Sequence, residues 1–343
     1  MQTDLSRRQF LQSAVLFTVG LGAQMLKIPV NLQGGTTSEL ELRGAIRDVH
    51  DPVIIQAEDA FYLFCTGDGI PIRKSTDLLI WSRPFPPLVF AELPAWASER
   101  IPGATNIWAP DISYYNGKYH LYYSVSTFGS NRSVIGLATN TTLNFQDGGY
   151  QWVDEGLVIE STGVENYNCI DPNIILDADG IPWLAFGSFW SGLKMRRLDY
   201  ETGKPSSEDE TLYDLVTRPV RDNPVEAPFI IRRGDFYYLF ASYDFCCRGV
   251  ESTYYVVVGR SETITGPYVD RDGVSMLQGG GTQITFPTDR WRGPGHCAVL
   301  QTDDADYIVY HAYDAQMGGT PTLRIDQLTW DADGWPLIGV PVP

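Results

Sequence analysis

The sequence predicts an all-β chain folded as a single five-bladed β-propeller, on three observations. Four segments share one grammar of polar or aromatic residues, a proline and a short apolar run: HDPVII from His50, WAPDIS from Trp108, IDPNII from Ile170 and EAPFII from Glu226. A fifth, GHCAVL from Gly295, keeps the run without the proline. Each is followed by a second apolar run, centred on Phe61, Tyr119, Pro182, Tyr237 and Tyr307, so the unit recurs every 55 to 70 residues. The runs are short, alternate in polarity and are bounded by Asp, Asn and Gly, with no amphipathic helical period competing. Repeats of this length built from strands and turns describe four-stranded blades around a central channel.

The chain opens with SRRQFL from Ser6, followed by an uncharged, mostly apolar or small stretch from Leu11 to Met25. A charged segment before an apolar one reads as an export signal, and the Arg7–Arg8 pair resembles the twin-arginine type. Residues 1–27 are assigned to that signal, 28–43 to a polar lead-in and 44–343 to the propeller. The mature protein is expected in the periplasm or outside the cell. No cysteine precedes Cys65 to carry a lipid anchor, and no later stretch is long enough to span a bilayer.

Blade one comprises HDPVII, AFYLFCT, a strand around Ile72 and a fourth ending at Trp81; the Pro- and Ala-rich loop from Pro84 to Asn106 is expected to lie over one face. Blade two holds YHLYYSVS from Tyr119 and SVIGLAT from Ser133, joined by the polar loop from Phe128 to Arg132. Blade three is IPWLAFGSFWSGLKMRRL from Ile181, and blade four FYYLFASYDF from Phe236 with YYVVVGRS from Tyr254. Blade five pairs DYIVYHAY from Asp306 with LRIDQLTW from Leu323.

Composition limits the partners. With 43% hydrophobic and 13% aromatic residues the chain is globular. Its 25 basic against 42 acidic residues give a net charge of -17, which disfavours nucleic acid and anionic membranes and fits an uncharged ligand. A monomer without an organic cofactor is expected. Five cysteines, an odd number in a long chain, do not form a disulfide framework. The adjacent Cys246 and Cys247 read equally as reduced thiols or as a vicinal disulfide, and they lack metal-site spacing.

Residues that open the innermost strands converge on a propeller's axis. Asp51, Asp171 and Glu226 are then brought into one funnel with Trp108 and His296. A lone Asp-Pro is ordinary turn chemistry. Three carboxyl groups at repeat-equivalent places, beside aromatic residues suited to stacking on sugars, form a site. Asp51 and Glu226 come from different blades and can face each other, one protonating a leaving oxygen and one activating water. Asp171 can hold the acid's proton by like-charge interaction.

The chain also resembles the endo-α-1,5-L-arabinanases of glycoside hydrolase family 43. The matching segments include VHDPVI at Val49, NIWAPDISYYNGKYHLYYSVSTFGSN at Asn106, NCIDPNII at Asn168, FGSFWSGLKM at Phe186, VEAPFIIRRGDFYYLFASYDFCCRG at Val225, RGPGHCAVL at Arg292 and YHAYD at Tyr310. The resemblance implies an inverting hydrolase of arabinan on a five-bladed propeller, with Asp51 as general base, Asp171 as modulator of the acid's pKa and Glu226 as general acid. It further implies that Trp108, Phe128, Gly129, Asn168, Ile170, Ser188, Phe189 and Trp190 line the substrate cleft with Asp51 and Asp171. His296 corresponds to a histidine deep in the axial channel beside a hydrated ion, usually assigned as calcium. Two rival expectations stand beside this one: an exo-acting α-L-arabinofuranosidase or β-xylosidase on the same scaffold, and a catalytically silent sugar-binding propeller. Binding alone does not require Asp51, Asp171 and Glu226 together, which argues against the silent form.

Overall fold

A computed structural model describes residues 40–339, and the export signal proposed for residues 1–27 lies outside them. Five antiparallel meanders follow one another along the chain. Blade one is Val53–Ala57, Ala60–Phe64 and Ile72–Ser75, extended at its edge by Ile80–Trp81 through a bridge between Lys74 and Ser82. Blade two is Trp108–Tyr115, Lys118–Val125, Arg132–Asn140 and Val153–Thr162. Blades three and four begin at Asn173–Leu176 and Val225–Arg233, and blade five runs from Trp291–Gln301 to Pro336–Ile338. The first strand of each blade touches the first strand of the next, and that of blade five returns to blade one. The protein is a five-bladed β-propeller.

Alternation along the strands builds the core. Successive side chains of a strand point to opposite faces, so Tyr122 packs toward blade three with Leu184 and Phe186, while its neighbour Tyr123 packs toward blade one with Phe64 and Ile72. The buried apolar residues accordingly separate into five clusters, one in each seam between blades.

The ring is closed by the segment just ahead of blade one. Leu40 N–H donates to Ile325 O (3.3 Å), Val49 N–H to Pro321 O (3.2 Å), and Leu323 N–H to Ile46 O (2.8 Å). Leu40 and Leu42, which the sequence reading placed in the polar lead-in, are buried against Leu323 and Ile325 of blade five and Phe61 of blade one. Burying each such leucine is worth about 2 kcal/mol. Among the described residues one α-helix departs from the all-strand expectation: Ala95–Arg100, inside the Pro- and Ala-rich loop. It docks on blade two, with Trp96 Nε1 donating to Asp154 Oδ2 (2.9 Å) and Arg100 paired with Glu160 (2.6 Å). Six residues are too few to show a helical period in the sequence.

Buried polar side chains tie the blades near the axis. Asp111 accepts from Asn173 Nδ2 (3.0 Å) and from the Ile174 N–H (2.8 Å), and Asn173 Oδ1 accepts from the Ile230 N–H (2.8 Å). These struts join blade two to three and three to four, and so fix the entrances of the strands that carry the acidic residues.

Candidate active site

The same turn is built five times. Asp51, Ala109, Asp171, Ala227 and His296 stand at equivalent places where the inner strands begin, and all five have left-handed backbone, with φ from 43° to 57°. A residue with a Cβ held there costs about 1–3 kcal/mol. The register slips between Trp108 and Asp111, between Glu226 and Phe229, and on both sides of Gly295, so the left-handed residues of blades two, four and five coincide with bulges. Bulges of this kind re-aim side chains.

Each of these turned N–H groups is satisfied by a side chain from the preceding blade. Ala109 donates to Thr66 Oγ1 (2.7 Å), Asp171 to Ser124 Oγ (3.0 Å), Ala227 to Asp171 Oδ2 (3.1 Å), His296 to Ser242 Oγ (2.9 Å) and Asp51 to His311 Nδ1 (3.2 Å). Because an unpaired buried N–H costs about 1–3 kcal/mol, these acceptors are what allow five strained residues to face one axis.

Electrostatics then divide the three carboxyl groups. Burial works to raise Asp51, but His50 and His296 outweigh it and hold this carboxyl well below the usual range. His50 Nδ1 lies 2.8 Å and His296 Nδ1 3.0 Å from Asp51 Oδ1, and Thr66 donates to Oδ2 at 2.6 Å. Asp51 is therefore a charged carboxylate. Burial raises Glu226 against a 2.7 Å hydrogen bond from Ser188 Oγ, with the charge of Asp51 adding to the rise. Asp171 is raised well above its ordinary value, chiefly by burial and further by the charges of Glu226 and Asp51. The sequence reading attributed the acid's raised pKa first to Asp171; in the structure burial is the largest cause. Burial disfavours charge on His296, yet Asp51, Asp171 and Glu226 together push it up to about 9. Carboxyl groups whose pKa values are driven apart in this way, one held low and another raised, are suited to accept a proton from water and to donate one to a leaving group.

All the site residues expected from the sequence line one cleft of about 1020 Å³. Asp51, Asp171, Glu226 and His296 form its floor, Asn168, Ile170 and Ser188 its buried wall, and Trp108, Phe128, Gly129, Phe189 and Trp190 its rim. Phe128 is 84% and Trp190 40% exposed, unusual for aromatic side chains that serve only packing. The sequence reading missed Thr66, Asn223, Phe245 and the Cys246–Cys247 pair, which also line the cleft. Cys246 and Cys247 are joined by a disulfide, which decides the alternative left open above. His311 and Tyr313 stand behind His50, and both lie in the YHAYD segment.

A propeller with carboxyl groups of divergent pKa at its axial cleft has the architecture of a glycoside hydrolase. The comparisons give the family: the chain belongs to glycosyl hydrolases family 43, whose model matches residues 45–336. It is 47% identical over 293 residues to the extracellular endo-α-(1→5)-L-arabinanase 1 of Bacillus subtilis, an alignment covering 84% of this chain and 87% of that relative. It is 44% identical over 301 residues to the extracellular exo-α-(1→5)-L-arabinofuranosidase ArbA of Cellvibrio japonicus, covering 85% and 86%. The solved α-L-arabinanase of Cellvibrio cellulosa complexed with arabinohexaose superimposes with a TM-score of 0.81 at 43% identity, covering 85% of this chain and 96% of the other.

Proposed function

We propose that this glycoside hydrolase is exported and cleaves α-1,5-linked L-arabinan at internal bonds, with inversion at the anomeric carbon. The observation that carries the reading is the split between Asp51, held charged by two histidines and Thr66, and Glu226, whose pKa burial raises in the same cleft. Asp51 takes the proton of a water on one face of the furanose while Glu226 protonates the departing oxygen on the other. Asp171, held by the Ala227 N–H, orients the floor between them. Of the relatives named above, one is an endo-α-(1→5)-L-arabinanase, one an exo-α-(1→5)-L-arabinofuranosidase, and one an α-L-arabinanase complexed with arabinohexaose. A cleft of about 1020 Å³ has room for several sugar units, which favours internal cutting.

Linear arabinan with xylan as control tests this. An early fall in viscosity with short oligomers is expected, whereas arabinose as the first product would assign exo action, as in the Cellvibrio relative, and activity on xylan alone would refute the substrate. Proton NMR should show β-configured ends first; initial α product would refute inversion and the role given to Asp51.

The floor also suits a hydrated cation, for which calcium is the candidate. Three carboxyl groups surround His296, whose Nε2 has no hydrogen-bond partner among the described residues. Imidazole is a poor direct calcium ligand, so His296 would meet the ion through the ion's water shell. Bound there, the ion would supply the positive charge that the His296 proton otherwise gives to Asp51, Asp171 and Glu226. His296→Ala should lower activity while leaving the fold intact; unchanged kinetics, with no metal in the purified wild type, would sink the idea. Export through the Arg7–Arg8 signal predicts that Arg7→Lys with Arg8→Lys retains active precursor in the cytoplasm, and wild-type levels outside the cell would assign an ordinary secretory signal.

A further inference from the structure

Behind Asp51 a series of hydrogen bonds leads away from the cleft, and the chemistry of its members fixes the direction of each. The Cys247 N–H lies 2.7 Å from Tyr313 Oη, which lies 2.8 Å from His50 Nε2; His50 Nδ1 lies 2.8 Å from Asp51 Oδ1. A backbone N–H only donates, so the phenol oxygen accepts it. With the Ser252 hydroxyl as a second donor to it, both lone pairs of the phenol are taken, and its own proton is left for the remaining neighbour, His50 Nε2. An imidazole whose Nε2 accepts carries its proton on Nδ1, the nitrogen that faces Asp51.

The surroundings reinforce this order. Tyr313 is 3% exposed, and burial pushes its hydroxyl far up, so it remains a donor at any working pH. His50 is stacked on His311 with ring centroids 3.9 Å apart, and His311, fully buried, accepts the Asp51 N–H. The ring of His50 is thus held by contact from one side and by hydrogen bonds at both nitrogens. At the outer end, Cys247 has left-handed backbone, and the peptide N–H it presents is a member of the small ring closed by the Cys246–Cys247 bond. The disulfide therefore restrains the donor on which the series begins.

We propose that Tyr313 is a positioning residue for the hydrolysis. Anchored by the amide inside the Cys246–Cys247 ring, it locks His50 as the Nδ1-protonated tautomer and so aims the carboxylate of Asp51 at water. The proposal rests on Asp51 being the base. It makes the cysteine pair part of the catalytic support, although neither thiol reacts and both sulfurs lie at the rim. Turnover then depends on the oxidised pair, since a dithiol such as dithiothreitol would open the ring, becoming a cyclic disulfide while Cys246 and Cys247 each gain a proton.

The test uses the full-length enzyme. Tyr313→Phe removes one oxygen and should lower kcat about ten- to a hundred-fold, by analogy with the loss of hydrogen-bond partners that orient metal-ligating histidines. KM should hold, because Tyr313 does not line the cleft. An aryl arabinoside with a good leaving group should suffer equally, since water activation and not leaving-group protonation is impaired. Nitrogen-15 NMR should show His50 as the Nδ1–H tautomer in the wild type and a mixture of tautomers in the variant. A kcat within two-fold of wild type, or an Nε2–H tautomer in the wild type, would overturn the proposal. If Tyr313→Phe fails to fold, Cys246→Ser with Cys247→Ser decides: reduced kcat together with loss of the single His50 tautomer supports the role, and wild-type kcat refutes it. The tautomer is read without substrate, so failure on arabinan would refute the proposed function and leave this measurement standing.

Discussion

Replacing Ser188 by Ala should move one limb of the pH profile and leave the other in place. Ser188 Oγ donates to Glu226 Oε2 at 2.7 Å, and both side chains are buried where the cleft wall meets its floor. The bond stabilises the carboxylate form and so works against the burial that raises Glu226. A hydrogen bond to a charged group is worth about 1.5–3 kcal/mol. The pair borders a solvent-filled cleft, so water will replace part of it and the lower end applies. At 1.36 kcal/mol per unit, the pKa of Glu226 should rise by about one unit. The general acid must be protonated, so activity is lost as pH rises through its pKa, and in Ser188→Ala the alkaline limb of kcat/KM should move about one unit higher. The acid limb, set by the base, should stay. Ser188→Thr, which keeps a hydroxyl, should restore the wild-type limb. An alkaline limb that is unmoved or shifted down would refute the assignment of Glu226, as would a shift confined to the acid limb.

The buried strut Asp111 is raised to about 7, chiefly by burial against two donated hydrogen bonds. A carboxyl group whose folded pKa exceeds its unfolded value contributes stability that is present below the unfolded pKa and lost as pH rises to the folded one. From about pH 4 to 7, the urea stability of the wild type should fall relative to Asp111→Asn by at most about 1.4 kcal/mol per unit; parallel curves would refute it. Gly295→Ala should lower the thermal midpoint by several degrees, because the added Cβ would drive into the ring of the buried Tyr254, and overpacking of this kind costs about 1–3 kcal/mol. A midpoint within a degree of wild type would show that the ring can move aside.

The sequence alone determined the blades and the acidic residues at their mouths. Strand alternation and turn residues act over a few positions, and repetition makes the weak signal readable: HDPVII, WAPDIS, IDPNII and EAPFII each announce an inner strand without knowledge of the others. It also placed Asp51 and Asp171 at the equivalent turn and Glu226 one residue before it, and equivalent strand entrances on a closed ring converge. What it did not determine is how three acidic residues with the same local grammar come to differ. Asp51 is charged because His50, His296 and Thr66 reach its two oxygens, and Thr66, His296 and His311 arrive there from other strands once the ring has closed. The left-handed residues are likewise invisible in the chain, since Asp51, Ala109 and His296 have no common side-chain chemistry; the acceptor each needs is supplied by the blade before it. Leu40 and Leu42 read as part of a polar tail until blade five is there to cover them. Periodicity is a property of neighbours in sequence, whereas protonation and backbone strain depend on the whole field of groups around an atom, and here the closed ring of blades brings that field together.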